Sequence, residues 1–305
     1  MTPDAHVPVL FSLLDGDRVD RIRQLELFSR FRVEGTLSGL DKSPFKGFTS
    51  DFRQHRQYNP GDPLKYLDWR VYGKSDRLFI REYEELTNAR VSIVLDVSGS
   101  MGYKGGGALT KHEFAIRAAA IVLYLALIHH DSFSVVTFRT DRVSHVPFGS
   151  GKTHLMRAFR LLLAAAPAEG TDFARGLGNA TAPIRRKGLT VVLSDFMDDP
   201  ETIIKRLARL RFQGSDVIAM QVYDPAEREF DFNTITRFHD PESAEVLVVD
   251  PQLIQRQYRE AFDAHLLGMK DACRRHGFEH VALPVCDQYD VPVLEYIHRR
   301  MELFS

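Results

Sequence analysis

The chain has 305 residues, 44% of them hydrophobic and 27% charged, with a formal net charge of -1; this supports one large core plus a smaller element, and argues against general polyanion binding, so no nucleic-acid partner is expected. Only Cys273 and Cys286 are present, without CxxC spacing, so a disulfide framework is excluded and both read as small buried side chains in a reducing compartment. Residues 1–14 lack the basic lead and apolar core of a secretory signal, and the longest apolar stretch, 118–128, is too short to cross a bilayer; a cytoplasmic protein with no membrane span is expected, with peripheral attachment only through partners.

In chain order, residues 17–31 set Val19, Ile22, Leu25, Leu27 and Phe28 among charges, the spacing of an amphipathic helix. Residues 35–59 are rich in Gly, Ser, Lys and aromatics and predict loops and short strands, while residues 78–84 alternate like an exposed strand. A boundary near Thr87 separates this helix and loop/strand segment, 1–87, from a larger domain, 88–305. There the pattern runs strand 91–95, helix 111–130, strand 133–138, a short partner strand 143–146, helices 155–166 and 173–186, strand 189–194, helix 200–212 and strand 217–222. A hairpin insertion near 230–249 turns at Asp240-Pro241-Glu242-Ser243, and helix 252–275, strand 279–285 and helix 291–301 follow. This succession predicts an α/β fold: a mostly parallel, doubly wound sheet covered on both faces, with an N-terminal helix and loop/strand extension.

The chemistry concentrates behind the first buried strand, in Asp96-Val97-Ser98-Gly99-Ser100-Met101. A carboxylate and two hydroxyls at alternate positions, on a turn tightened by Gly99, form an oxygen-ligand set for a hard divalent cation. Hydroxyls carry no charge, so an ion held mainly by Asp96 keeps positive charge and seeks an outside anion. Two further groups fit the same place. Thr171 opens the helical pattern in Gly170-Thr171-Asp172-Phe173-Ala174-Arg175-Gly176, and Asp195 stands at the carboxyl end of the buried run 189–194. In open α/β sheets ligands collect at that end of the strands.

The order Asp96-x-Ser98-x-Ser100, Thr171 with Gly176 five residues on, then Asp195 resembles the metal-ion-dependent adhesion site of von Willebrand factor type A domains. The resemblance implies that Ser98, Ser100 and Thr171 ligate an ion, with Asp96 and Asp195 acting directly or through water, and that Mg2+ is the usual occupant, Mn2+ or Ca2+ being alternatives. Upstream, Ser43-Pro44-Phe45-Lys46-Gly47, Asp51-Phe52-Arg53, Arg56-Gln57-Tyr58-Asn59-Pro60-Gly61-Asp62, Leu67-Asp68-Trp69-Arg70 and Ile80-Arg81-Glu82-Tyr83-Glu84-Glu85 resemble the bacterial domain-of-unknown-function family 58, which joins such a segment to a von Willebrand type A domain. That family is typically encoded beside MoxR-type AAA+ ATPases, which implies such an ATPase as partner. The implied function is a noncatalytic, Mg2+-dependent interaction module that receives an Asp or Glu from a partner protein. A metal-dependent phosphoester hydrolase and a metal-independent scaffold are the alternatives.

Other features read as structural. Gly151-Lys152-Thr153 lacks the upstream Gly of a phosphate loop, Val146 standing there. Gly105-Gly106-Gly107 reads as a flexible rim to the metal loop, and His112, His129 and His130 as surface or half-buried residues without ligand spacing. Arg53, Arg56, Tyr58, Trp69 and Arg70 alternate with Asp51, Asp62 and Asp68, which favours internal pairing. Asp198 and Asp199 suit the start of the next helix. Enzyme chemistry is disfavoured because no motif fixes a general acid or base and Ser98 stands where a phosphoryl-transfer enzyme wants a second carboxylate.

Overall fold

The computed structural model describes residues 51–58, 67–75, 77–84, 89–140, 142–168, 172–184, 188–232, 234–239 and 246–304. The expected helix 17–31, residues 35–50 and 59 of the loop segment, Asp62, the boundary at Thr87 and the turn 240–243 lie outside them.

Two antiparallel strands, β1 (Asp51–Gln57) and β2 (Phe79–Glu84), flank a short helix α1 (Trp69–Ser75). Asp68 is buried and accepts the N–H groups of Arg70 and Val71, so its carboxylate satisfies the first turn of α1.

The main sheet has six strands, in the order β10 (Glu279–Pro284), β7 (Asp216–Tyr223), β6 (Leu189–Ser194), β3 (Arg90–Asp96), β4 (Ser132–Arg139), β5 (Arg142–Gly149). All neighbours pair in parallel except β4 with β5. The central strands are near-continuous apolar runs because both faces are covered. On one face Val91, Ile93 and Leu95 pack with α2 (Lys111–Ile128), α3 (Lys152–Ala164) and α8 (Asp290–Phe304). On the other, Val94, Val136 and Val192 pack with α4 (Phe173–Ala180), α5 (Pro200–Phe212) and α7 (Pro251–Arg275). The doubly wound α/β fold is the one the sequence predicts. Helix α2 is apolar almost all round and is buried along nearly its whole length, from Lys111 to Ala126. The margin strand β5 carries Pro147, and its pairing with β4 shifts register between Phe133 and Val135.

Several boundaries differ from the sequence reading for local reasons. Helix α4 stops at Ala180 instead of continuing to 186, since Pro183 disfavours helical backbone before it. Helix α2 stops at Ile128, with His129 as its cap and His130 in the left-handed region at φ 58°. Helix α3 begins at Lys152, ahead of its apolar periodicity, with Gly151 at φ 85° before it. The short helix α6 (Pro225–Glu229) is unannounced by periodicity but carries an Asp224/Glu227 capping box. After it, β8 (Thr236–His239) pairs antiparallel with β9 (Val246–Val249). Among the described residues no helix is long and apolar enough to cross a membrane.

Candidate metal centre

The connection of the strands places the site. From β3 the chain winds to β4 and β5, then crosses back to β6 on the other side of β3 and continues to β7 and β10. The order therefore reverses between β3 and β6, where the carboxyl ends of the two strands leave a crevice. Asp96 ends β3, and Asp195 follows the last residue of β6.

Asp96 is wholly buried. Its Oδ1 accepts the Ser98 N–H at 2.9 Å, which folds the turn back on the strand end, and its Oδ2 accepts the Ser194 hydroxyl at 2.7 Å. Ser194 Oγ in turn accepts the Phe196 N–H at 2.9 Å. Burial, and then the charge of Asp195, push the Asp96 carboxyl up to about 7, against the opposite pull of its bonds to Ser194 and Ser98. Two buried carboxylates thus stand at the ends of adjacent strands.

Ser98 begins a 3-10 turn, Gly99–Gly102, but its side chain makes no capping bond to it. Ser98 Oγ and Ser100 Oγ stand 3.1 Å apart instead. The hydroxyls are therefore not consumed by helix capping and remain grouped beside Asp96. The loop that leads to α4 runs alongside: Ala168 bridges Ser98 and donates to the Val97 carbonyl at 3.2 Å, and the Asp172 N–H donates to Thr140 Oγ1 at 2.9 Å. Thr171 itself lies outside the described residues. Gly176 lets α4 approach β4, since a Cβ there would stand 2.9 Å from the Phe138 ring and 3.1 Å from the Thr140 nitrogen.

Asp195 is 3% exposed and is held from three sides. Its Oδ2 accepts the Lys111 ammonium at 2.9 Å, its Oδ1 faces the Met197 N–H at 3.4 Å, and its carbonyl accepts Gln221 Nε2 at 2.9 Å. Because Gln221 spends its amide N–H on Asp195, its Oε1 is the acceptor for His280 Nε2 at 2.9 Å. The next residue, Phe196, adopts φ 51°, a strained region for a side chain of that size. It is kept there by its buried ring, edge-on to Phe173, and by His265, whose Nε2 lies 2.9 Å from its carbonyl.

Sequence reasoning missed the cation. Lys111, the first residue of α2, is wholly buried, and it also donates to Glu227 Oε1 at 2.7 Å. Burial pushes its pKa down, but the charges and hydrogen bonds of Asp195 and Glu227 push harder, holding it above the ordinary lysine range. Glu227 is raised by burial, with Lys111 acting in the opposite sense. One signal was available: a lysine in the first turn opposes the helix dipole, which is unfavourable unless carboxylates claim it. Nor is Gly105 part of a loose rim. Its N–H donates to Asp224 Oδ2 at 2.7 Å, and a Cβ would stand 2.4 Å from the other carboxylate oxygen. His112 is buried, its Nε2 2.8 Å from the Ala165 carbonyl, and Cys286 is half-buried while Cys273 is fully buried. Asp199 caps α5 through the Thr202 N–H at 2.9 Å, as its position predicts.

The donor set is of the kind a small hard cation takes: carboxylate oxygens of Asp96 and Asp195 and hydroxyl oxygens of Ser98 and Ser100. Among the described residues no group of three or more His, Cys, Asp or Glu side chains gathers as a metal-holding cluster, so hydroxyl oxygens would have to complete any ligand set here.

Comparison with known proteins adds the following. An uncharacterized protein of Mycobacterium tuberculosis (strain ATCC 25618 / H37Rv), Rv1480, is 24% identical over 299 residues, covering 95% of this chain and 93% of that protein. Among solved structures, an aerotolerance-related membrane protein from Bacteroides fragilis NCTC 9343 aligns over 71% of this chain and 100% of its own, with 15% identity and a TM-score of 0.47. The VWA domain of SpRpn10 aligns over 68% of this chain and 95% of its own, with 11% identity and a TM-score of 0.42. The model of the family described as "Protein of unknown function DUF58" matches residues 54–270, and the chain belongs to that family.

Proposed function

We propose that the protein is a noncatalytic, Mg2+-dependent interaction module. One observation carries this reading: Asp96, Ser98 and Ser100 share a turn at the strand-order reversal, with the buried Asp195 at the end of the neighbouring strand. Asp96, Ser98, Ser100 and Asp195, with Thr171, would hold the ion. Bound there, the ion would supply a Lewis-acidic position for an Asp or Glu side chain of a partner protein. The chain's own residues do the rest. Ser194 and the Ser98 N–H orient Asp96, Lys111 and Gln221 hold Asp195, and the strained Phe196 corner fixes the direction in which Asp195 leaves the sheet. The family resemblance supports a MoxR-type AAA+ ATPase as the partner.

A noncatalytic role fits because the amino group beside the crevice is no proton acceptor: two carboxylates keep Lys111 protonated. The metal-independent scaffold is the second reading, favoured by the same lysine, which already counters Asp195. Calorimetry with Mg2+ separates them. Asp96→Ala is expected to abolish Mg2+ binding while unfolding stays cooperative, and binding to the purified ATPase is expected to disappear with chelator. A wild-type protein that takes no Mg2+, or an Asp96→Ala variant that takes it unchanged, overturns the proposal.

A further inference from the structure

We propose that Lys111 is the resident cation of this centre, setting how tightly a divalent ion is held and leaving that ion enough positive charge to accept an anionic ligand. This rests on the metal reading above and assigns a role to a residue outside the ligand set.

Around the crevice stand Asp96 and Asp195, whose two negative charges would neutralise a divalent ion by themselves. A neutralised ion has little attraction for a further carboxylate. Lys111 changes this balance, because its ammonium sits 2.9 Å from Asp195 Oδ2 and takes up part of that charge. The lysine side chain is 1% exposed, so water does not screen the interaction as it would at the surface. Glu227 holds the ammonium from behind at 2.7 Å and tempers it.

The position is also fixed. Thr110 and Glu113 form a capping box that locks the start of α2, and the Tyr103 ring lies 5.7 Å from the ammonium. Asp224, the cap of α6, binds the Gly105 N–H of the loop that follows the Asp-x-Ser-x-Ser turn, so Glu227 and that loop are fastened to each other.

Calorimetry with Mg2+ alone, on the full chain, tests the charge balance. Lys111→Met removes the opposing charge and is expected to tighten Mg2+ binding by about 10-fold or more, since like charges at this depth act through a low effective dielectric. Glu227→Gln leaves Lys111 to Asp195 alone and is expected to weaken it by about 3- to 10-fold. The double variant is expected to return to within about 3-fold of wild type, as opposite charge changes offset. A merely structural lysine gives no such sign reversal. If Lys111→Met fails to fold, Glu227→Gln and the double variant, which replaces a buried ion pair by neutral groups, still decide. Wild-type binding with both Glu227→Gln and the double variant unchanged overturns this inference alone; a wild type that takes no Mg2+ overturns the metal reading with it. For the ligand half, Mn2+-loaded protein is titrated with acetate while water-proton relaxation is followed. Acetate is expected to displace ion-bound water at several-fold lower concentration in wild type than in Lys111→Met, and equal displacement overturns that half.

Discussion

Two buried cations in this molecule live in opposite circumstances. At the strand-order reversal, Lys111 stands between Asp195 and Glu227. At the margin of the sheet, Arg300 on α8 pairs with Glu279 at the start of β10, where the Tyr296 hydroxyl also bonds the same carboxylate. Arg300 is 3% exposed but its partner is 41% exposed, so water reaches the acid. The central cluster keeps more acid than base, with Lys111 and Asp195 almost wholly buried and Glu227 15% exposed. A fold built for stability alone resembles the margin; an excess of buried carboxylate calls for another positive charge.

The contrast can be broken by removing each cation in turn. Lys111→Met is expected to lower the unfolding free energy by about 3–5 kcal/mol in urea without divalent ion, because two acids lose their buried counter-charge. Added Mg2+ should restore much of that loss, since an ion that binds the folded state stabilises it by mass action. Arg300→Met should cost less, about 1–3 kcal/mol, because Glu279 is partly solvated, and Mg2+ should not restore it. The same pair of titrations shows whether the two clusters differ in kind.

A third measurement sharpens the comparison through His280, which links β10 to the centre by way of Gln221. Burial, then the neighbouring charges of Lys270 and His265, lower its pKa from 6.5 to about 4. The unfolded chain therefore takes up a proton that the folded chain refuses. This contribution to stability is present above pH 6.5 and is lost as the pH falls toward 4. Urea unfolding across that window should lose about 2 kcal/mol in wild type, and less in His280→Gln. An equal loss in both would place the acid sensitivity elsewhere.

Much of the architecture was legible because buried parallel strands announce themselves as unbroken apolar runs, and the residues at their carboxyl ends follow by counting. Asp96 and Asp195 could be placed at the carboxyl ends of their strands in this way; that β3 and β6 pair directly is what the structure adds. What could not be read was the pairing of Lys111 with Glu227, 116 residues apart in the chain. That contact depends on how α6 leaves β7, and a helix of five residues has too little periodicity to show in sequence. Ser194 was hidden for another reason. A serine ending an apolar strand looks like the strand's polar limit, and its bond to Asp96 appears only when β6 lies beside β3. The opposite error occurred at Gly105-Gly106-Gly107, where three glycines read as looseness although the first is needed for close approach to Asp224.

The β5 margin has a consequence for how copies of this chain meet. An outermost strand with a full row of free amides would offer a template on which another sheet can zip. Pro147 withholds one N–H from that row, and the slipped pairing between Phe133 and Val135 breaks its rhythm. Sheet-to-sheet adhesion is discouraged along that side.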